Sequence, residues 1–298
     1  MKRKYTFDHS YYTVKPGKKI QLKDHDPAFT NSLADKKEAK KTLKEDIEAL
    51  AKAQELLWAS GQQAVLVIFQ ALDAAGKDST IKHVMSGVNP QGCEVHSFKA
   101  PSEEEKKRHF LWRPARVLPG AGRIAIFNRS YYEEVLVVRV HPDFLKGQLL
   151  PRKLRGKDLK KIWEARYKEI NDWEKLMTEQ GICIIKFFLN VSREEQKKRF
   201  LERLDKPEKN YKFSAADVKE RSYWKDYHKA YEDMLNATST RWAPWYIIPA
   251  DKKWFTRAVV ADIISSRINK LNLKIPKPSE EELAELQEAR KELEDEGG

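Results

Sequence analysis

Two cysteines, Cys93 and Cys183, are all that a chain of 298 residues contains. That excludes a disulfide framework and a four-cysteine zinc site, and both are expected to be small buried hydrophobes. Glycine and proline are sparse as well, at 12 and 13 residues, too few for a low-complexity or collagen-like chain. No segment approaches the ~18 consecutive apolar residues of a membrane span. The longest apolar runs, 64–69 and 182–189, contain or border polar residues. No apolar stretch stands behind the basic start Met1 to Thr6, so a signal peptide is not expected. A cytoplasmic protein without membrane contact is the default. His83, His96, His109, His141 and His228 show no metal-ligand spacing and read as surface or helix-packing residues. No internal repeat and no long linker is present.

What is there is charge and aromatic content. Apolar residues make up 41% and charged residues 34%, with 31 aromatics, which a disordered chain would not carry. The length allows one large domain or two ordinary ones and is enough to bury a core. Lys and Arg exceed Asp and Glu by 57 to 45, a net charge of +12. Such an excess suits a polyanionic partner: nucleic acid, an acidic membrane surface, nucleotides or inorganic polyphosphate. It also serves solubility alone, and net charge does not separate these.

Residues 1–30 show no sustained period and read as an irregular arm. From 33 to 60, Leu43, Ile47, Leu50 and Leu57 trace one apolar helical face. Strands are expected at 64–71, 94–98, 123–128, 182–191 and 245–250. Helices are expected at 76–85, 158–179 and 254–271, with a helix-like stretch from Tyr131. Ser192 and Glu195 form a capping box that opens another helix, Ser214 and Asp217 restart it after a basic loop, and 280–296 is a charged terminal helix. Strands that alternate with helices predict a parallel sheet covered on both faces. The domain is expected over 31–272, followed by a charged helix and tail at 273–298.

Three stretches carry chemistry. Ala71 to Thr80 follows a buried strand and opens a helix, the context of a phosphate-binding loop. Backbone amides of Ala74, Ala75, Gly76, Lys77 and Asp78 would cradle phosphate, and Lys77 would reach the reacting group. The loop departs from the Walker pattern: Ala71 stands for the first glycine, and Asp78 for the Ser or Thr that holds Mg²⁺. Asp73 offers a carboxylate inside the loop instead, suited to a hard oxygen-seeking cation, with Mn²⁺ as the alternative to Mg²⁺. The same residues would also suit an ordinary strand–turn–helix with Gly76 as its turn residue. The second stretch, Phe127 to Glu133, lies at a strand end, where ligands bind in parallel sheets. Asn128 can hydrogen-bond without charge, Arg129 would face phosphate, and Glu133 could supply a carboxylate. In the third, Arg199 and Arg203 share a helix face, and Lys206, Lys209 and Lys212 follow at a spacing of three. A basic lid over about 199–216 would neutralise a transferring phosphoryl group. Asn89, Arg108 and Arg113 precede the second stretch and are candidates for nucleotide contact. Trp224, Tyr227 and Tyr231 form a stripe read as helix core.

With Val88 to Gly92 and Ala243 to Tyr246, these stretches resemble the polyphosphate kinase type 2 family from about residue 10 to 272. The resemblance implies a kinase-like αβα sandwich: an α/β fold with a phosphate-binding loop, a central parallel sheet and a helical lid, often in tetramers. It implies reversible transfer between inorganic polyphosphate and nucleotides. Asp73 would be the metal-associated acid, and Lys77 and Arg129 the phosphate-binding cations. Arg199, Arg203, Lys209 and Lys212 would be the lid contacts. Asn128, where the family usually has Asp, with Val137 to His141 behind it, looks like the class III branch, associated with phosphorylating AMP and ADP. Two rivals stay open at this point. One is an ATP-dependent nucleoside monophosphate kinase on the same fold. The other is a non-catalytic polyanion-binding protein, although no RRM, KH or zinc-finger signature supports binding to nucleic acid.

Overall fold

Ala64–Gln70 is apolar or β-branched almost throughout and is buried at every position, as a strand covered on both faces must be. It forms β1, the middle of a five-stranded sheet in the order β2-β3-β1-β4-β5. The other strands are β2 (Cys93–Ser97), β3 (Ile124–Asn128), β4 (Ile182–Asn190) and β5 (Trp245–Pro249), and all pairings are parallel. The structure is a computed structural model and describes residues 6–30, 36–150, 152–154, 156 and 158–296.

Alternation along β1 decides the two cores. Val65, Val67 and Phe69 point into one layer, against Leu50 and Leu57 of α1 (Lys36–Ser60) and Val259 and Ile263 of α7 (Lys253–Asn269). Leu66 and Ile68 point into the other, against Ile162 and Ile170 of α3 (Leu159–Glu179) and Met234 and Leu235 of α6 (Trp224–Thr238). Each such side chain contributes roughly 1.5–3 kcal/mol of burial. The expected αβα sandwich is therefore observed.

The arm is irregular as expected, apart from a helical turn at His9–Tyr12 and a 3₁₀ turn at Leu22–Asp24. It is nevertheless firmly docked. Val14 N donates to the Trp245 carbonyl at 2.9 Å, so the arm lies along β5. Buried Asp262 of α7 accepts from Phe7 N at 3.3 Å and lies 2.8 Å from His9 Nε2. The stretch after Tyr131 is not one helix. It is a 3₁₀ segment, Tyr131–Val135, then a single α turn, Val137–Val140, broken at Leu136 (φ −113°, ψ −81°). Cys93 and Cys183 are half-buried rather than buried, and burial raises both thiol pKa values. The last helix, α8 (Glu280–Asp295), is exposed along its whole length. No described helix is long and apolar enough to cross a membrane.

The strand order places the site. From β1 the chain runs out to edge strand β2, returns to β3 beside β1, then crosses to β4 on the other side. The loops that leave β1 and β3 therefore emerge side by side at the carboxyl edge, where such sheets bind ligands. The register Phe69↔Asn128 puts them level, and Arg129 N donates to the Phe69 carbonyl at 3.0 Å.

Candidate active site

The loop after β1 turns sharply into α2 (Lys77–Val84). Gly76 caps that helix at φ +105°, a conformation an L side chain rarely adopts. Three non-glycine residues among those described have positive φ, and two of them are Ala74 (+60°) and Arg129 (+62°). Left-handed backbone costs a non-glycine residue roughly 1–2 kcal/mol, so the fold holds both loops of the site in conformations that they would not choose alone.

Lys77 is the first residue of α2 and is only 8% exposed. Its ammonium donates to the Ala71 carbonyl at 2.7 Å. Burial lowers its pKa, and Asp73 partly opposes that. Asp73 Oδ1 accepts from Arg129 Nη2 at 2.6 Å. Burial works against the Arg129 charge, but Glu133 and Asp73 outweigh it and keep the guanidinium firmly protonated. Burial raises the Glu133 pKa, with Arg129 and Lys77 opposing. Asn128 Nδ2 donates to Asp78 Oδ1 at 2.7 Å, so the uncharged amide holds the carboxylate that stands for the Walker hydroxyl.

These residues face one cleft. Asp73, Ala74, Gly76, Lys77, Asp78, Asn128 and Arg129 form its floor, and Lys99, Arg203, Lys209 and Lys253 add cations around it. A second cavity opens on the other side of Asp73 and Arg129, between Glu133, Asp217, Glu220 and the rings of Trp224, Tyr227 and Tyr231. Of the aromatic stripe, Tyr227 and Tyr231 are core as expected, whereas Trp224 is only half-buried, and all three rings line this cavity.

Several expected contacts sit elsewhere. Arg199, on α4 (Arg193–Leu204), does not reach over the loop from a lid. It is 4% exposed and packs beneath the loop, although it is also among the residues that line the cleft. Its donors go to the carbonyls of Ala74 (3.0 Å), Ala75 (2.7 Å), Ala250 (2.7 Å) and Asp251 (3.1 Å) and to Glu195 Oε1 (2.8 Å). Those bonds engage all five N–H groups of a guanidinium. Arg199 thus straps the phosphate loop to the end of β5. Lysine offers three donors from one point, so Arg199→Lys would leave buried carbonyls unpaired, at about 1–3 kcal/mol each. The variant is expected to melt several degrees lower and to lose at least tenfold in turnover; a thermal melt and a rate assay check this.

The segment expected to form a lid comprises the end of α4, a 3₁₀ segment at Pro207–Lys212 and α5 (Ala215–Glu220). Arg203 and Lys209 line the cleft, whereas exposed Lys206 is not among its lining residues. The Lys212 side chain falls outside the described residues. Asn89 is at the wrong edge of the sheet. It caps Pro90–Gly92 just before β2 begins, and ligands bind where parallel strands end. Arg108 pairs with Glu104 at 3.0 Å and stacks on Trp112. Arg113 donates to the Lys99 carbonyl at 2.8 Å. Both line a neighbouring pocket with Phe98 and Ser130 rather than the cleft.

Sequence reading missed Lys99, Lys253 and Gln196, whose Nε2 donates to the Asp73 carbonyl at 2.9 Å. Lys99 and Lys253 follow the ends of β2 and β5. Their position was a usable signal once the strands were assigned, but only the strand order brings them to one cleft.

A parallel sheet of this order, with a lysine-bearing loop at the end of its central strand that opens a helix, defines the fold of the phosphate-loop kinase-like class. A family profile described as Polyphosphate kinase 2 matches residues 33–276. The chain is 46% identical over 283 residues to an ADP-polyphosphate phosphotransferase of Rhodopseudomonas palustris, covering 95% of this chain and 97% of that protein. It is 42% identical over 274 residues to an AMP/ADP-polyphosphate phosphotransferase of Meiothermus ruber, covering 90% and 95%. The crystal structure of Polyphosphate Kinase 2 from Arthrobacter aurescens superposes with a TM-score of 0.86 at 37% identity, over 97% of this chain and 99% of that one. The chain belongs to the polyphosphate kinase 2 family.

Proposed function

We propose that this protein transfers a phosphoryl group reversibly between inorganic polyphosphate and nucleotides, making ADP from AMP and ATP from ADP. The observation that carries the reading is the meeting of the Lys77 loop with the Asp73–Arg129 pair in a cleft rimmed by Lys99, Arg203, Lys209 and Lys253. The names of the relatives in Rhodopseudomonas palustris and Meiothermus ruber agree with ADP and with both acceptors, respectively.

Polyphosphate lies along the cationic side of the cleft, with its end at the loop amides and Lys77. An oxygen of the acceptor's terminal phosphate attacks the terminal phosphorus of the chain. The new P–O bond forms as the bridging P–O bond breaks, and polyphosphate leaves one unit shorter. Charge spreads over the transferring oxygens, so stabilisation by placed cations is the protein's main contribution. Lys77 and Arg129 supply it. No general base is required, because the attacking phosphate oxygen is already ionised.

Asp73 and Asp78 both face the cleft, and no cluster of three or more metal-ligating side chains occurs among the described residues. One or two carboxylates completed by phosphate oxygens is the ligand set Mg²⁺ prefers, so the residues fit that ion. Bound there, Mg²⁺ would neutralise phosphate charge; Mn²⁺ has the same oxygen chemistry.

The test is incubation with Mg²⁺ and long-chain polyphosphate plus AMP or ADP, followed by product separation. ADP and ATP are the expected products. Absence of both, or transfer from ATP alone, would overturn the reading. The same assay examines acceptor choice. An aspartate at 128 would set a second carboxylate against Asp78 at the present 2.7 Å contact, where two like charges do not both ionise freely. Asn128→Asp is expected to change the ratio of the AMP and ADP rates by about tenfold, equivalent to ~1.4 kcal/mol. An unchanged ratio would remove Asn128 from acceptor choice.

A further inference from the structure

Behind the turn that carries Arg129 and Glu133 lies a charged cluster that phosphoryl transfer itself does not use. Lys186, within β4, and Glu174, on α3, both have side chains that are 0% exposed, and their charged groups are 2.6 Å apart. Lys186 Nζ also donates to Tyr132 Oη and to the Thr238 carbonyl, each at 2.8 Å, so all three ammonium protons are engaged. Glu174 Oε1 accepts the hydroxyls of Tyr131 at 2.6 Å and Tyr132 at 2.7 Å. Burial lowers the Lys186 pKa, with Glu174 opposing.

A buried ion pair of this kind is a poor source of stability. Well-packed apolar residues of similar volume in its place are often neutral or better, because both charges lose their hydration. What the pair does have is position. Tyr131 and Tyr132 stand between Arg129 and Glu133. Arg129 has left-handed backbone (φ +62°), and a non-glycine residue stays there only when its neighbours are fixed. On the sheet side, Arg129 N is held by the Phe69 carbonyl, and Gln70 Nε2 donates to Ser130 Oγ at 3.1 Å. The pair holds the other side through both tyrosine hydroxyls. The same ammonium grips Thr238, the last residue of α6, whose Tyr227 and Tyr231 line the second cavity. One buried charge pair therefore ties together the two walls that flank Asp73.

We propose that Lys186 and Glu174 are positioning residues for phosphoryl transfer, holding the Tyr131–Tyr132 turn so that Arg129 and Glu133 keep their aim at Asp73 and Lys77. The proposal rests on the phosphotransferase reading, which the native protein's rate in the same assay tests separately.

The experiment compares native protein with Tyr132→Phe, Glu174→Gln and the double variant, using Mg²⁺, polyphosphate and ADP at 25 °C, with a thermal melt of each. Tyr132→Phe removes only a hydroxyl and leaves the ring in place, so it decides the matter should Glu174→Gln not fold. Each single variant is expected to lose about tenfold or more in kcat, as misplaced reacting groups do, with KM for both substrates within about twofold. The double variant is expected to fall little below the worse single one, because both act through one turn. A folded Tyr132→Phe protein with a lowered melting temperature and native kcat would overturn the proposal, as would a loss confined to KM.

Discussion

Lys77→Ala is expected to reduce phosphoryl transfer by about a hundredfold to a thousandfold, the effect of losing one preorganised donor to a developing charge, ~2.7–4 kcal/mol. The lysine is buried at the mouth of the loop, and its ammonium is held by the Ala71 carbonyl. That bond keeps the charge where a phosphate at the loop amides would meet it. Removing it leaves one carbonyl without a partner at the edge of a cleft, a modest structural cost. The fold should persist, because the cores on both sheet faces do not include the Lys77 side chain. The measurement is the initial rate with polyphosphate and ADP beside a far-UV spectrum and a melt. Near-native turnover in the folded variant would remove Lys77 from the chemistry.

Asp73→Asn is expected to act on two things together. It removes a carboxylate suited to Mg²⁺, and it weakens the 2.6 Å pairing that fixes Arg129. Activity should fall by one to two orders of magnitude, or ~1.4–2.8 kcal/mol, and half-saturation with Mg²⁺ should move to higher concentration. The two causes separate in a magnesium titration. A misplaced Arg129 lowers the rate at every Mg²⁺ concentration and leaves the midpoint alone, whereas a lost ligand moves the midpoint. A lowered rate with an unmoved midpoint would assign metal binding to Asp78 and leave Asp73 as the residue that orients Arg129.

Much of this molecule was legible in the order of its residues. The apolar run of β1, the capping residues of α4 and the period of α1 are local signals, and each became the element expected to within a few residues. The placement of Gly76 and Lys77 between a buried strand and a helix was legible too, because both flanking elements carry local signals. Lid arginines were not. Arg199 and Arg203 are four residues apart on one helix, and sequence treats them alike. In the structure both line the cleft, but Arg199 directs its donors under the loop to backbone carbonyls from segments more than 50 residues away in either direction. Asn89 sits apart for a related reason: it precedes β2, which runs parallel to β3, so it lies at the end of the sheet opposite the loop that leaves β3.

By itself the sequence determined the alternation of strands and helices, the basic excess of charge and the family that its motifs resemble. All of these rest on contacts between near neighbours or on composition. The tertiary structure alone decided which charges meet. Asp73 finds Arg129 because β3 returns beside β1, and Asn128 holds Asp78 for the same reason. Lys186, a lysine in the middle of an apolar strand, acquires meaning only when Glu174 and two tyrosines close around it. Pairings of that kind depend on strand order and on which face a side chain takes, and packing of the whole chain sets both.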